Sequence, residues 1–192
     1  DAKAKGDFSA ILYRTDRFIV DSSGTFWLSD TPEIVASTSW GNSITRICTW
    51  ARLIERDSGE ALYVFNTHYD HRSQESREQS STLIAQRIAN RQHDNPVVLM
   101  GDFNAGELNP AITTLHADND GPQLVHTYRA IHPDTIEVGT FNSFKGESSG
   151  DMIDHIFVSE TIQILDADID HTNDSERYPS DHYPVWVRIK VP

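Results

Sequence analysis

The chain has 192 residues, 38% of them hydrophobic and 23% charged, and a formal net charge of −13. That length suits one domain, residues 1–192, with a sizeable core. No apolar stretch is long enough to span a bilayer, and the sixteen basic residues form no cluster that would track a phosphate backbone, which disfavours tight binding to long nucleic acid.

The elements follow in order. Ser9 to Arg14 and Arg17 to Val20 read as strands around a turn at Thr15-Asp16. Thr45 to Glu55 is β-rich, and Ala61 to Asn66 is expected to pair with it across Asp57-Ser58-Gly59. Gln74 to Arg91 lacks Gly and Pro and carries Leu83, Ile84 and Ile88 on one face, which predicts a helix. Pro96 to Met100 begins a buried strand. Asn109-Pro110 caps a short helix, with proline at its first position, ending before Asp118-Asn119-Asp120-Gly121-Pro122. Met152 to Ser159, Ile162 to Ile169 and Pro184 to Val191 are the last strands. Strands dominate with helices between some of them, so the fold class is α/β and layered, with mixed sheet.

Four polar clusters adjoin these strands: Asn66-Thr67-His68-Tyr69-Asp70-His71, Gly101-Asp102-Phe103-Asn104, Ile153-Asp154-His155 and Ser180-Asp181-His182-Tyr183-Pro184-Val185. Together they supply carboxylates, carboxamides and imidazoles, the groups used in metal-assisted hydrolysis of phosphate esters. After a buried strand, a glycine turn lets Asp102 and Asn104 point into a crevice. Asp102 can hold a hard cation or orient water, and Asn104 can hydrogen-bond a phosphate oxygen without adding charge. The alternative is a plain Gly-Asp turn. A neutral His182 can take a proton from water, and Asp154 would orient it through the other ring nitrogen. Cys48, the single cysteine, lies in an apolar run and reads as a buried core thiol. His171 with Asp168, Asp170 and Asp174 matches no standard metal spacing and reads as a solvated acidic hairpin tip. Trp27, Trp40, Trp50 and Trp186 are expected to pack the core or cover its edge.

The order and spacing of the four clusters resemble the exonuclease–endonuclease–phosphatase superfamily, whose members include deoxyribonuclease I and inositol polyphosphate 5-phosphatases. The resemblance runs from about Gly6 to the end. Ser9-Ala10-Ile11-Leu12-Tyr13-Arg14, Gly24-Thr25-Phe26-Trp27-Leu28-Ser29 and Arg46-Ile47-Cys48-Thr49-Trp50-Ala51 are similar to a bacterial branch of hydrolases. The resemblance implies a deoxyribonuclease I-like layered sandwich: two mixed β-sheets packed face to face, flanked by helices. It also implies an opening strand, a helix and a strand ending in a metal-binding Glu. Residues 1–8 hold no Asn or Glu for those parts, so that segment, with the principal Glu ligand, is expected outside this sequence.

By the same resemblance, the chain is a Mg²⁺- or Mn²⁺-dependent hydrolase of a phosphoester, a phosphodiester foremost, on a phosphorylated small molecule. The alternatives are a nuclease, and a binding module that lacks the metal-binding Glu. His182, Asp154, His68, Asp102 and Asn104 are the implied catalytic set, and His68 would act at the leaving oxygen. Asp181 and Asp102 are the implied metal ligands. Asn66, Arg46, Arg77 and Phe144 are the implied substrate contacts, with Asp70 and His71 either behind the site or capping the next helix. Thr140-Phe141-Asn142-Ser143-Phe144 matches a loop near the substrate, where an aromatic ring could wedge a base or sugar; Phe141 itself is expected to pack in the core. Asp151 and Met152 stand where relatives often carry basic residues, which weakens the nuclease alternative. The branch points to a secreted or periplasmic location.

Overall fold

A computed structural model describes residues 8–116 and 123–192, so the expected Asp118–Pro122 helix stop and the start of the resemblance at Gly6 lie outside the described residues. The elements are β1 (Phe18–Trp27), β2 (Ile47–Glu55), β3 (Ala61–His68), α1 (Gln74–Ala89), β4 (Val97–Asp102), α2 (Pro110–His116), β5 (Leu124–His126), α3 (Thr127–Ile131), β6 (Asp154–Ser159), β7 (Gln163–Ile169) and β8 (Val185–Lys190). A six-stranded sheet runs β1-β2-β3-β4-β6-β5, and β7 pairs with β8 in a second sheet.

Among the described residues, only β3 and β4 pair in parallel. A parallel pair needs a crossover, and α1 supplies it. Ser73 caps that helix, its side chain accepting from the Ser76 N–H. Asn109 caps α2 in the same way, accepting from the Ala111 N–H at 3.0 Å.

Side chains alternate across the central strands with the period of two expected of a sheet. Tyr63, Phe65, Val97, Leu99 and Phe157 face a core closed by Ile84 and Ile88 of α1 and Ala111, Ile112 and Leu115 of α2. Leu62, Val64, Val98, Ile156 and Val158 face the other way, against Ile164, Val185, Val187 and Ile189 of the second sheet. Both sides of the large sheet are therefore covered. This is the mixed two-sheet α/β layering that the sequence predicts, with helices flanking.

Three local expectations change. Ser9 to Arg14 forms no strand. β1 pairs with β2, and among the described residues nothing offers 9–14 a ladder, leaving Leu12 91% exposed. The strand predicted at Arg17–Val20 instead continues to Trp27, past Gly24, whose missing side chain makes room for the Trp50 ring. The segment Leu124–Ile131, unassigned from sequence, forms β5 and α3.

Candidate active site

The site grows from one row of the large sheet. His68 pairs with Asp102, and Asp102 with Asp154. Parallel β3 and β4 both end at this edge, and antiparallel β6 begins there. By the alternation just described, all three side chains belong to the face that looks toward the second sheet. His182 reaches the same place from the segment leading into β8, so the group lies where the two sheets open.

Close backbone approach shapes the end of β4. A side chain at Gly101, whose φ is +147°, would sit 2.0 Å from the Thr67 carbonyl oxygen, so only glycine lets β4 lie against β3 at this point. Asp102 Oδ1 accepts from the Asn104 N–H at 2.8 Å, and Asn104 takes a left-handed φ of 48°. Asn104 Nδ2 donates to the Tyr69 carbonyl at 3.0 Å and reaches Asp102 Oδ2 at 3.4 Å. The turn chemistry and the site chemistry therefore use the same atoms.

His182 Nδ1 donates to Asp154 Oδ2 at 2.7 Å. That bond places the neutral ring's lone pair on Nε2, which lies 4.0 Å from Asp102 Oδ2. His68 Nε2 lies 3.3 Å from the same oxygen. The Asp154 hydrogen bond raises the His182 pKa. Burial, and then the neighbouring Asp154 charge, push the Asp102 carboxyl up to about 6. Asp102, Asp154 and His182 bring one ligand atom each within 4.8 Å of one another. Two carboxylates and an imidazole suit a divalent cation, and the crowded negative charge that lifts Asp102 is what such an ion would relieve.

Sequence reasoning missed the clamp behind this group. Thr140, fully buried, accepts at Oγ1 from the Ile153 N–H at 3.0 Å and the Asp154 N–H at 3.1 Å. Its carbonyl accepts from the Tyr183 N–H at 2.7 Å. Buried Asn142 donates from its backbone to the Asp181 carbonyl at 2.7 Å and from its side chain to the Ser180 carbonyl at 3.2 Å. Their place on either side of Phe141 in Thr140-Phe141-Asn142-Ser143-Phe144 was the available signal for both.

The remaining predicted residues divide. The Phe141 ring is not core: it is 45% exposed and meets the edge of His182 with centroids 5.2 Å apart. Phe144 is more exposed, in a left-handed turn held by Asn142 Oδ1. Asp181 stands outside the Asp102–Asp154–His182 group. The Asn66 amide donates to the Ala10 carbonyl at 2.8 Å. Arg77 is turned to the start of α1, donating to the Asp70 carbonyl at 3.0 Å and to Gln74 Oε1 at 2.6 Å. Asp70 Oδ1 accepts the Arg72 and Ser73 N–H groups, so it shapes the entry to that helix. Arg46 is buried beside His71, its Nη2 3.3 Å from Nδ1. Cys48 is buried as expected, Trp40 and Trp50 pack on the core, and Asp168, Asp170, His171 and Asp174 are all exposed.

Two packed sheets with a carboxylate–imidazole group at their open edge define a layered α/β protein with a candidate metal-binding site. The Endonuclease/Exonuclease/phosphatase family model matches residues 5–182, and the chain belongs to that family. A solved endonuclease/exonuclease/phosphatase from Bacteroides vulgatus superposes with a TM-score of 0.83 at 28% identity, over 94% of this chain and 69% of that one. The mannosyl-6-phosphatase Bt3783 of Bacteroides thetaiotaomicron is 31% identical with a TM-score of 0.81, over 93% of this chain and 69% of that one. The uncharacterized protein L388 of Acanthamoeba polyphaga mimivirus is 29% identical over 158 residues, which are 78% of this chain and 57% of that protein. The chain thus spans little more than half the length of this viral relative.

Proposed function

We propose that the chain hydrolyses a phosphoester by direct attack of water on phosphorus, with Mg²⁺ or Mn²⁺ as cofactor. The observation that carries this reading is the orientation of His182, with Nδ1 tied to Asp154 and Nε2 turned toward Asp102. Nε2 accepts a proton from the attacking water, and Asp154 stabilises the resulting imidazolium. The P–O bond to the leaving group breaks as the new one forms, and His68 gives a ring N–H proton of its own to the departing oxygen. Asn104 binds a non-bridging oxygen with the amide hydrogen that now makes only the long contact to Asp102. Asp102 would hold the cation, and Asp181 is the proposed additional ligand. When bound, the ion neutralises charge on the phosphate oxygens. No serine or cysteine stands in a nucleophile setting, so no covalent intermediate is expected.

The proposed substrate is a phosphorylated small molecule. A phosphodiester is the first expectation; the likeness to a mannosyl-6-phosphatase supports a sugar phosphomonoester as the second. The −13 charge and the acidic Asp151 disfavour nucleic acid. Hydrolysis of bis-p-nitrophenyl phosphate and p-nitrophenyl phosphate, with Mg²⁺, Mn²⁺ or EDTA, separates the readings. Diester cleavage abolished by EDTA and cut by orders of magnitude in His182→Ala supports the first, and monoester preference the second. Near-normal turnover in His182→Ala would sink the proposal.

A further inference from the structure

We propose that Arg46, His71 and Arg72 form an anion-binding subsite beside the hydrolytic group, for a second, non-reacting phosphate of the substrate. As an account of substrate it rests on the phosphoester reading above; as a binding site it is testable without turnover.

The three side chains hold an excess of donors. Arg46 Nη2 lies 3.3 Å from His71 Nδ1, and Arg72 Nε lies 3.1 Å from His71 Nε2. A guanidinium can only donate. A neutral imidazole accepts at one nitrogen and donates at the other, and an imidazolium donates at both. In either state, at least one of these contacts sets a donor against a donor.

The surroundings do not correct the excess. Arg46 is 6% exposed, yet its Nε is buried with no partner. A buried charge ordinarily has a counter-charge. Most arginines of this acidic chain have one: Arg14, Arg17, Arg52, Arg87, Arg91, Arg129, Arg177 and Arg188 are ion-paired. Among the described residues, Arg46 and Arg72 form no such pair. The carboxylate at this turn, Asp70, lies in the field of Arg46 and His71 but bonds to neither: Oδ1 is spent on two backbone N–H groups, and Oδ2 makes no hydrogen bond.

What the cluster lacks is an acceptor with several oxygens. His71 and Arg72 are exposed, so a ligand can reach them from solvent with Arg46 beneath. A phosphate group presents acceptor oxygens in several directions, which suits guanidiniums that flank the two nitrogens of one ring. The position favours a non-reacting group: the cluster follows His68 by three residues, and Arg46 bears on Asp102 only through its field, with no contact.

The test is calorimetric titration of inorganic phosphate into the full chain in EDTA, where the acidic hydrolytic group has no cation to attract it. Wild type and His182→Ala should bind equally. Arg72→Met, an exposed change, should weaken binding at least tenfold, as should Arg46→Met. Arg56→Met, which removes the same charge elsewhere, should not. Wild-type affinity in Arg72→Met, equal affinity for acetate, or no phosphate binding by wild type would overturn the proposal. Retained phosphate binding with no phosphoester hydrolysis would instead count against the hydrolase reading and leave the subsite standing.

Discussion

Thr140 joins the two halves of the Asp154–His182 pair. Its hydroxyl holds the Asp154 N–H at 3.1 Å, and its carbonyl holds the residue after His182. Asp154 belongs to the large sheet and His182 to the approach to the small one, so Thr140 fixes their separation across the layers.

Thr140→Val keeps the shape and removes the acceptor. Two part-buried N–H groups, of Ile153 and Asp154, would lose their partner, and each such loss costs at most about 1–3 kcal/mol. The expected result is a lower urea midpoint together with a fall in kcat larger than any change in KM. Unchanged kcat in a folded Thr140→Val protein would remove Thr140 from the positioning of the pair.

Asp154→Asn tests the tautomer. The carboxamide can present its NH₂ to Nδ1, which moves the ring proton to Nε2 and leaves nothing there to accept from water. Turnover should drop by about 10²–10⁴, in the range assigned to an oriented base, while circular dichroism stays native.

The pH dependence of stability follows from two raised pKa values. Asp102 has a folded value of about 6, above its ordinary value of 3.8. The folded state therefore holds that proton more tightly, and stability falls as pH rises through this window. His182 is also raised. Its contribution is complete below the ordinary value of 6.5 and is lost as pH rises through the folded value. Both act in the same direction. In EDTA, thermal stability from these groups should decline between pH 4 and the His182 titration. Asp102→Asn should stabilise the protein at pH 7.5, by at most about 3 kcal/mol at roughly 1.4 kcal/mol per pKa unit. Mg²⁺ or Mn²⁺ should raise Tm more at pH 7.5 than at pH 4.5. An Asp102→Asn variant less stable than wild type at pH 7.5 would show that the ionised carboxylate carries no such penalty.

Burial pushes the Cys48 thiol up and keeps it from solvent. It should react with a disulfide reagent only after unfolding. Stoichiometric labelling of native protein within minutes would place Cys48 at an accessible surface instead.

Much of this was readable from residues in order. The unbroken apolar runs Leu62–Phe65 and Val97–Met100 mark strands buried on both faces, and the Gly101-Asp102 step announces a strand end carrying chemistry. Asn109-Pro110 states its helix start outright. What the sequence hides is relational. Ser9–Arg14 has strand-like composition but finds no ladder, and composition cannot report a missing neighbour. Phe141 looks like core because aromatic residues usually are, yet its place is fixed by a bridge to His182 from forty residues away in the chain. The donor excess at His71 is also invisible, because Arg46 joins His71 and Arg72 only after β2 and β3 pair.

The alignment of His68, Asp102 and Asp154 in one row also makes the site a report on folding. These residues come from three strands, and successive residues of a strand face opposite ways. A one-residue slip of β6 against β4 would send Asp154 to the helix-covered face while leaving most backbone hydrogen bonds intact. Such a species would keep much of its circular dichroism and lose His182's partner. Specific activity per folded molecule would then measure how much of a preparation has reached native register, a quantity that spectroscopy of secondary structure misses.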